Sequence, residues 1–165
     1  MTDPKALPLV ANLADMPWED SGSDGKYGCH DKIVADHVRQ ERLDMAVTKL
    51  APGKASCPYH FHHVGEELFV VLEGRAALRI GGETRHVGPQ DVVSCPPGPA
   101  GAHQFFNDGD ADFVYLAISI NDPTEICEYP DSKKLMAHHR AHGATDFRHI
   151  GRLADAVPYM DGETT

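Results

Sequence analysis

The residues with the most chemistry lie between Cys57 and Gly74, which reads CPYHFHHVGEELFVVLEG. Residues two apart on a β-strand point to the same face. On a strand through this stretch, His60 and His62 aim their imidazoles at one point and Phe61 turns away. Glu67 follows after four residues and opens an apolar run to Leu72, whose alternate members Phe69 and Val71 share its face. Two ring nitrogens and a carboxylate oxygen converging inside a sheet make a donor set for a divalent metal. Glu66 competes for the carboxylate role, but phase favours Glu67, which six residues separate from Gly74. His63 points to the opposite face and reads as an exposed polar residue. Cys57, three residues before His60, can reach the mouth of such a site, although a small buried hydrophobe is its plainer reading.

A fourth donor has to come from elsewhere, and His103 is the candidate. It opens a strand after the loop Pro96 to Ala102, with Phe105 and Asn107 in phase with it. Phe69, Val71, Phe105 and Asn107 are therefore expected to line a pocket. Tyr115 and Tyr59 join them as the nearest proton-transfer candidates besides a spare carboxylate. Four polar groups at these phases inside an apolar interior are costly without a metal to pair them. A set of three nitrogens and one oxygen suits Zn, Fe, Mn, Ni or Co alike. A second histidine group, His138, His139, His142 and His149, lies in the tail. His138 and His142 would share a face of a helix, but no nearby Cys or His-Glu pattern completes a site. A solvated tail or an interface is the preferred reading there.

The elements that must hold these groups are short and β-like. Strands are expected at Leu43–Leu50, Cys57–His63, Glu67–Leu72, Ala76–Ile80, Thr84–Val87, Val92–Cys95, His103–Asn107 and Phe113–Ile120. Gly, Pro and Asp turns punctuate them, including the Gly81-Gly82 hairpin signal. Short strands separated by such turns are the mark of an antiparallel sandwich or barrel. Residues 1–30 carry Pro4, Pro8, Pro17 and a Gly-rich run, and read as an extended N-terminal arm. The tail 121–165 is expected to be partly helical, with a helix over Ser132–Ala141 and Ser132 as its N-cap. One domain over 1–165, with its core at about 43–120, fits a chain of 165 residues.

Composition narrows the partners. There are 25 acidic against 15 basic residues, a formal net charge of -10. That balance argues against a nucleic-acid surface and against attachment to anionic lipid. The longest strongly apolar run, Phe113 to Ile118, is far too short for a membrane helix, and no secretory signal is visible. The four cysteines are widely spaced without a C-x-x-C pair. They read as reduced thiols, and the protein is expected in the cytoplasm.

Taken together, Gly53, His60, His62, Glu67 and Gly74, followed by Gln90, Pro96, Gly98, His103 and Asn107, resemble the paired motifs of the cupin superfamily. Gln90 stands where the second motif has Gly, and the loop from Gly98 to His103 is two residues longer than the motif's. The resemblance implies an all-β, antiparallel jelly-roll barrel with one divalent metal held by His60, His62, Glu67 and His103. The surroundings of Met16-Pro17-Trp18 and Tyr129-Pro130-Asp131-Ser132 look most like small single-domain cupins likened to phosphomannose isomerases. That likeness, with the N-terminal arm, implies a homodimer acting on a small molecule. Sugar or sugar-phosphate isomerase-like chemistry is the leading expectation. A non-haem iron dioxygenase, a lyase or decarboxylase, and a non-catalytic small-molecule or metal-binding module are the alternatives.

Overall fold

A computed structural model of the chain describes residues 7–22, 25–141 and 144–164. Its regular structure is all β apart from short 3₁₀ turns. The strands in chain order are β1 (Glu19–Asp20), β2 (His30–Ile33), β3 (Leu43–Leu50), β4 (Phe61–His62), β5 (Glu67–Glu73), β6 (Ala76–Ile80) and β7 (Glu83–Val87). They continue with β8 (Val92–Cys95), β9 (His103–Phe106), β10 (Phe113–Ile120), β11 (Thr124–Tyr129), β12 (Lys134–Ala141) and β13 (Ala144–Arg152).

One antiparallel sheet runs β1-β2-β3-β10-β5-β8. Its centre is the long register of β3 with β10, from Leu50 opposite Phe113 to Leu43 opposite Ile120. β10, FVYLAISI, is rich in β-branched and aromatic residues, which suits a pleated, half-buried surface. Alternate residues Leu50, Phe113, Tyr115, Phe69 and Val71 face inward, and they meet Leu78 and Phe105 from a second sheet, β7-β6-β9. Leu50, Leu78, Phe105 and Phe113 are all but sealed from solvent. Each such side chain contributes about 1.5–3 kcal/mol by leaving water. A third sheet runs β13-β12-β11-β4.

The second and third sheets meet at a single antiparallel bridge, His60 opposite His103. The two backbones exchange hydrogen bonds, His60 N to His103 O at 3.2 Å and His103 N to His60 O at 2.9 Å. Such mutual pairing places the side chains of opposed residues side by side on one face. The seam between two sheets is therefore where two of the candidate donors are brought together.

Turn chemistry fixes the ends of the strands. Gly74 has φ 75°, and a Cβ there would strike the Asp112 carbonyl oxygen and Phe113 Cα. Only glycine fits. Gln90, in the place where the motif has Gly, adopts φ 75° nonetheless. Its N–H donates to Val71 O at 2.9 Å, which holds the turn before β8 against β5.

The structure corrects the sequence reading in two places, the closed barrel and the helical tail. The ladders form three sheets that do not close into a barrel. The end of the extended N-terminal segment joins the six-stranded sheet: β1 pairs with β2, and His30–Ile33 pairs with Lys49–Ala46. The expected helix over Ser132–Ala141 is strand β12, paired to β11 on one side and β13 on the other. Two flanking ladders satisfy the backbone of KLMAHHRA, whereas an isolated helix of that length is marginal in water. His142 lies outside the described residues, so the disfavoured pairing with His138 is not placed. Among the described residues, no helix is long and apolar enough to cross a membrane.

Candidate metal centre

Four side chains from three places in the chain converge beside the seam. His60 Nε2 lies 3.2 Å from His62 Nε2. Glu67 Oε2 lies 3.3 Å from His62 Nε2 and 3.2 Å from His103 Nε2. The alternation through Phe61 works as read: Phe61 turns away and packs with Tyr59 and Ala102. Glu67 starts β5, an interior strand of the six-stranded sheet, directly opposite Cys95 of β8 and Ser119 of β10. The extra length before His103 forms a 3₁₀ turn, Pro99–Gly101, and keeps the histidine in register with His60.

All three rings are oriented from behind. The Nδ1 of His60 is 3.0 Å from Pro58 O, and that of His103 is 3.0 Å from Gly101 O. A carbonyl only accepts, so each Nδ1 carries the proton and each Nε2 presents a lone pair to the centre. His62 differs, because its Nδ1 faces side chains: Cys127 Sγ at 3.3 Å and Glu125 Oε2 at 3.5 Å.

The donors fit a cation. Glu67 Oε2 is buried without a hydrogen-bond partner, since neither histidine approach has hydrogen-bond geometry. A buried acceptor left unmade costs about 1–3 kcal/mol, and more when charged. Burial by itself would raise the Glu67 carboxyl, but the facing His103 and His62 outweigh it and hold the group well below the usual carboxylate range. Burial likewise acts to lower His62, yet the facing Cys127 and Glu67 lift it well above an ordinary imidazole. His60 is pushed down, by burial first and then by the neighbouring His62. A divalent ion held by three neutral imidazoles and one carboxylate would supply the positive charge that the buried Glu67 oxygen faces.

The centre opens on a chamber of about 260 Å³ that His60, Glu67 and His103 help to line. Phe69, Phe105 and Tyr115 form part of its wall. Val71 and Asn107 do not reach it. Val71 belongs to the core, and Asn107 is fully buried with its amide bonded to the backbone of Leu50, Gly109 and Ala111. Tyr59 stands apart as well: it stacks under Arg79 at 3.7 Å, and its hydroxyl accepts from Gly82 N. Arg79 is further held by a bidentate bond to Asp131. Cys57 does border the chamber, with Sγ 3.6 Å from His60 Nδ1. Its burial raises the thiol, which favours the protonated form.

Two contributions had no counterpart in the sequence reading. Asp31 of β2 enters the chamber wall. Its Oδ1 accepts from Thr48 Oγ1 at 2.6 Å and its Oδ2 from Cys29 Sγ at 3.3 Å. β11 supplies the other. It pairs with β4, Cys127 opposite His62, and its alternate residues Glu125, Cys127 and Tyr129 back the histidines. Tyr129 stacks on His60 with ring centroids 6.0 Å apart. The alternation in TEICEY was the signal available for this face. A second, smaller cavity of about 130 Å³ lies on that side, between His62, Glu67, Glu125, His138 and Arg140.

Residues 46–119 match a family model described as a cupin domain. Among solved structures, a proposed sugar phosphate isomerase from Acidithiobacillus ferrooxidans superposes with a TM-score of 0.78. It is 26% identical, and the match covers 94% of this chain and 98% of that one. A sugar phosphate isomerase of the cupin superfamily from Silicibacter pomeroyi shares the fold, with a TM-score of 0.73, 21% identity and coverage of 88% and 93%. Among curated sequences, auxin-binding protein T85 of Nicotiana tabacum is 27% identical over 137 residues, covering 76% of this chain and 70% of the relative. Auxin-binding protein 1 of Arabidopsis thaliana is 30% identical over 135 residues, covering 76% and 65%.

Proposed function

Because the chain belongs to the cupin superfamily, we propose that it is a metal-dependent enzyme acting on a small polar metabolite, with sugar or sugar-phosphate isomerase-like chemistry. The observation that carries this reading is the buried, unpartnered Glu67 Oε2 facing three histidine Nε2 atoms at the edge of a chamber. His60, His62, Glu67 and His103 would hold one divalent transition metal. When bound, the metal supplies polarisation of adjacent carbonyl and hydroxyl oxygens, which acidifies the C–H between them.

The remaining work falls to the chain. An aldose–ketose exchange moves one proton from the hydroxyl-bearing carbon to the former carbonyl carbon, and one from oxygen to oxygen. Asp31 is the carboxylate we assign to the carbon-bound proton, since Thr48 and Cys29 fix both of its oxygens in the chamber wall. Tyr115 suits that role less: burial raises its phenol, so it holds its proton. Phe69 and Phe105 exclude water from one side of the chamber, which strengthens every charge interaction inside it. The homodimer belongs to the same proposal, and sedimentation equilibrium would read two chains for it or one against it.

The test is direct. Protein reconstituted with Zn²⁺, Mn²⁺, Fe²⁺, Ni²⁺ or Co²⁺ is incubated in D₂O with a panel of aldoses, ketoses and their phosphates, followed by NMR. Deuterium at the carbon next to the carbonyl, lost in Asp31→Asn while metal is retained, supports the proposal. Iron-dependent oxygen uptake without exchange turns the reading to a dioxygenase. A second reading, a small-molecule binding module, is favoured by the likeness to the two auxin-binding proteins. Ligand binding without exchange or oxygen uptake by any metal form would decide for it.

A further inference from the structure

β11 places Glu125 at the one stretch of chain that joins two of the four converging donors. His62 and Glu67 are linked by residues 63–66, a loop with no regular structure that must hold β4 and β5 at a fixed offset. Glu125 is buried, only 7% exposed, and spends its carboxylate on that loop. Oε1 accepts from His63 N at 3.2 Å, Val64 N at 3.2 Å and Ile126 N at 2.8 Å. Oε2 accepts from Gly65 N at 2.6 Å and faces His62 Nδ1 at 3.5 Å. Gly65 is shaped for this contact: a Cβ there would come within 2.6 Å of Oε2. A carboxylate offers about four lone-pair sites, and these bonds take them up.

His62, Glu125 and Cys127 also lie close enough to one another to hold an ion of their own. The geometry speaks against it. A Glu125 that ligates a metal has to release the three N–H groups of residues 63–65 into a dry pocket, at about 1–3 kcal/mol each. We propose that Glu125 is a positioning residue for the metal centre: it clamps the 63–65 loop by its backbone and, with Cys127, sets the ring of His62 so that Nε2 faces Glu67. Cys127, 2% exposed and directly opposite His62 on the paired strand, closes the back of the ring. The proposal rests on the reading of His60, His62, Glu67 and His103 as metal ligands, and adds the group that holds two of them in register.

The test uses Co²⁺ alone as the probe on the full-length protein, with affinity read by competition against a chromogenic chelator and geometry by the cobalt visible absorption. Loss of such outer partners weakens metal binding about 10–100-fold. Glu125→Ala is expected to fall in that range with an altered cobalt spectrum, and Glu125→Gln, which keeps one acceptor oxygen, to lie between it and the wild type. Should Glu125→Ala fail to fold, Gly65→Ala pushes the carboxylate off the loop from the other side and is expected to weaken Co²⁺ in the same way. One Co²⁺ bound with unchanged affinity and spectrum by Glu125→Gln and Gly65→Ala overturns the positioning role alone. Two Co²⁺ per chain, with thiolate-to-cobalt absorption lost in Cys127→Ser, overturns it in favour of a second metal site. No Co²⁺ bound by the wild type overturns the metal reading, and the positioning role with it.

Discussion

Asn107 offers the sharpest test of how the fold is held around the chamber. Its side chain is 0% exposed and makes three hydrogen bonds to backbone. Nδ2 donates to Leu50 O and to Ala111 O, both at 2.8 Å, and Oδ1 accepts from Gly109 N at 3.0 Å. Its own N–H and C=O bond to Lys54 and Gly53 at 2.8 Å. The side-chain amide thus ties the end of β3 to the turn before β10, and the backbone of the same residue holds the turn after β3. Substitution by Ala removes the three side-chain bonds and leaves two carbonyls and one N–H without that partner in a sealed site. At about 1 kcal/mol per bond, with added cost for the stranded N–H, Asn107→Ala should lose about 3–4 kcal/mol. For a domain of this size that corresponds to a fall of roughly 10 °C in Tm. Urea and thermal unfolding of the metal-free protein measure it. A loss under about 1 kcal/mol would show that the knot is not what holds these turns, and would sink the assignment of Asn107 to structure rather than to the pocket.

Three further outcomes are expected. Gln90→Gly relieves a left-handed backbone conformation that costs a side-chain-bearing residue about 1–2 kcal/mol; after the larger backbone entropy that glycine loses on folding, a gain of about 0.5–1 kcal/mol should appear in urea unfolding, and a loss would refute the strain argument. Zn²⁺ or Mn²⁺ at about a hundredfold over its Kd should stabilise the protein by about 2.7 kcal/mol, and Glu67→Gln should abolish that increment in differential scanning fluorimetry; an equal metal response in both proteins would place the ion elsewhere. Asp131 is held below its ordinary value by the bidentate bond from Arg79. Its contribution is therefore present above the unfolded carboxyl's range, near pH 4, and fades as pH falls through the lowered folded value. The stability gap between wild type and Asp131→Asn, small because the pair is exposed, should be present at pH 7 and vanish in strong acid.

How much of this was legible in the sequence depended on range. His60 and His62 could be placed on one face from strand period alone, and the Glu67 phase followed from Gly74, whose left-handed turn ends β5. Asn107 shows where that logic stops. Its phase with His103 was read from the strand period, but β9 ends at Phe106, and beyond a strand end the period no longer says where a side chain goes. β12 was misread because Lys, Leu, Met, Ala and Arg all favour helices, while the two strands that flank it are tertiary facts no local window contains. Asp31 and Glu125 were missed for the same reason. Each reaches the site by strand pairing, Asp31 opposite Thr48 and Cys127 opposite His62, across separations over which the chain carries no local cue.

The seam at His60 and His103 turns strand registration into something an ion can read. Sliding a strand by one residue inverts which side chains face inward. A one-residue slip of β4 against β9 would present Phe61 to the centre and withdraw both His60 and His62, half of the converging donors. A molecule that has joined its sheets one step out of line therefore loses its capacity to retain metal in a single stroke, rather than by degrees. Metal content per chain becomes a count of correctly registered molecules, and refolding with the ion present should select the aligned form over its near neighbours.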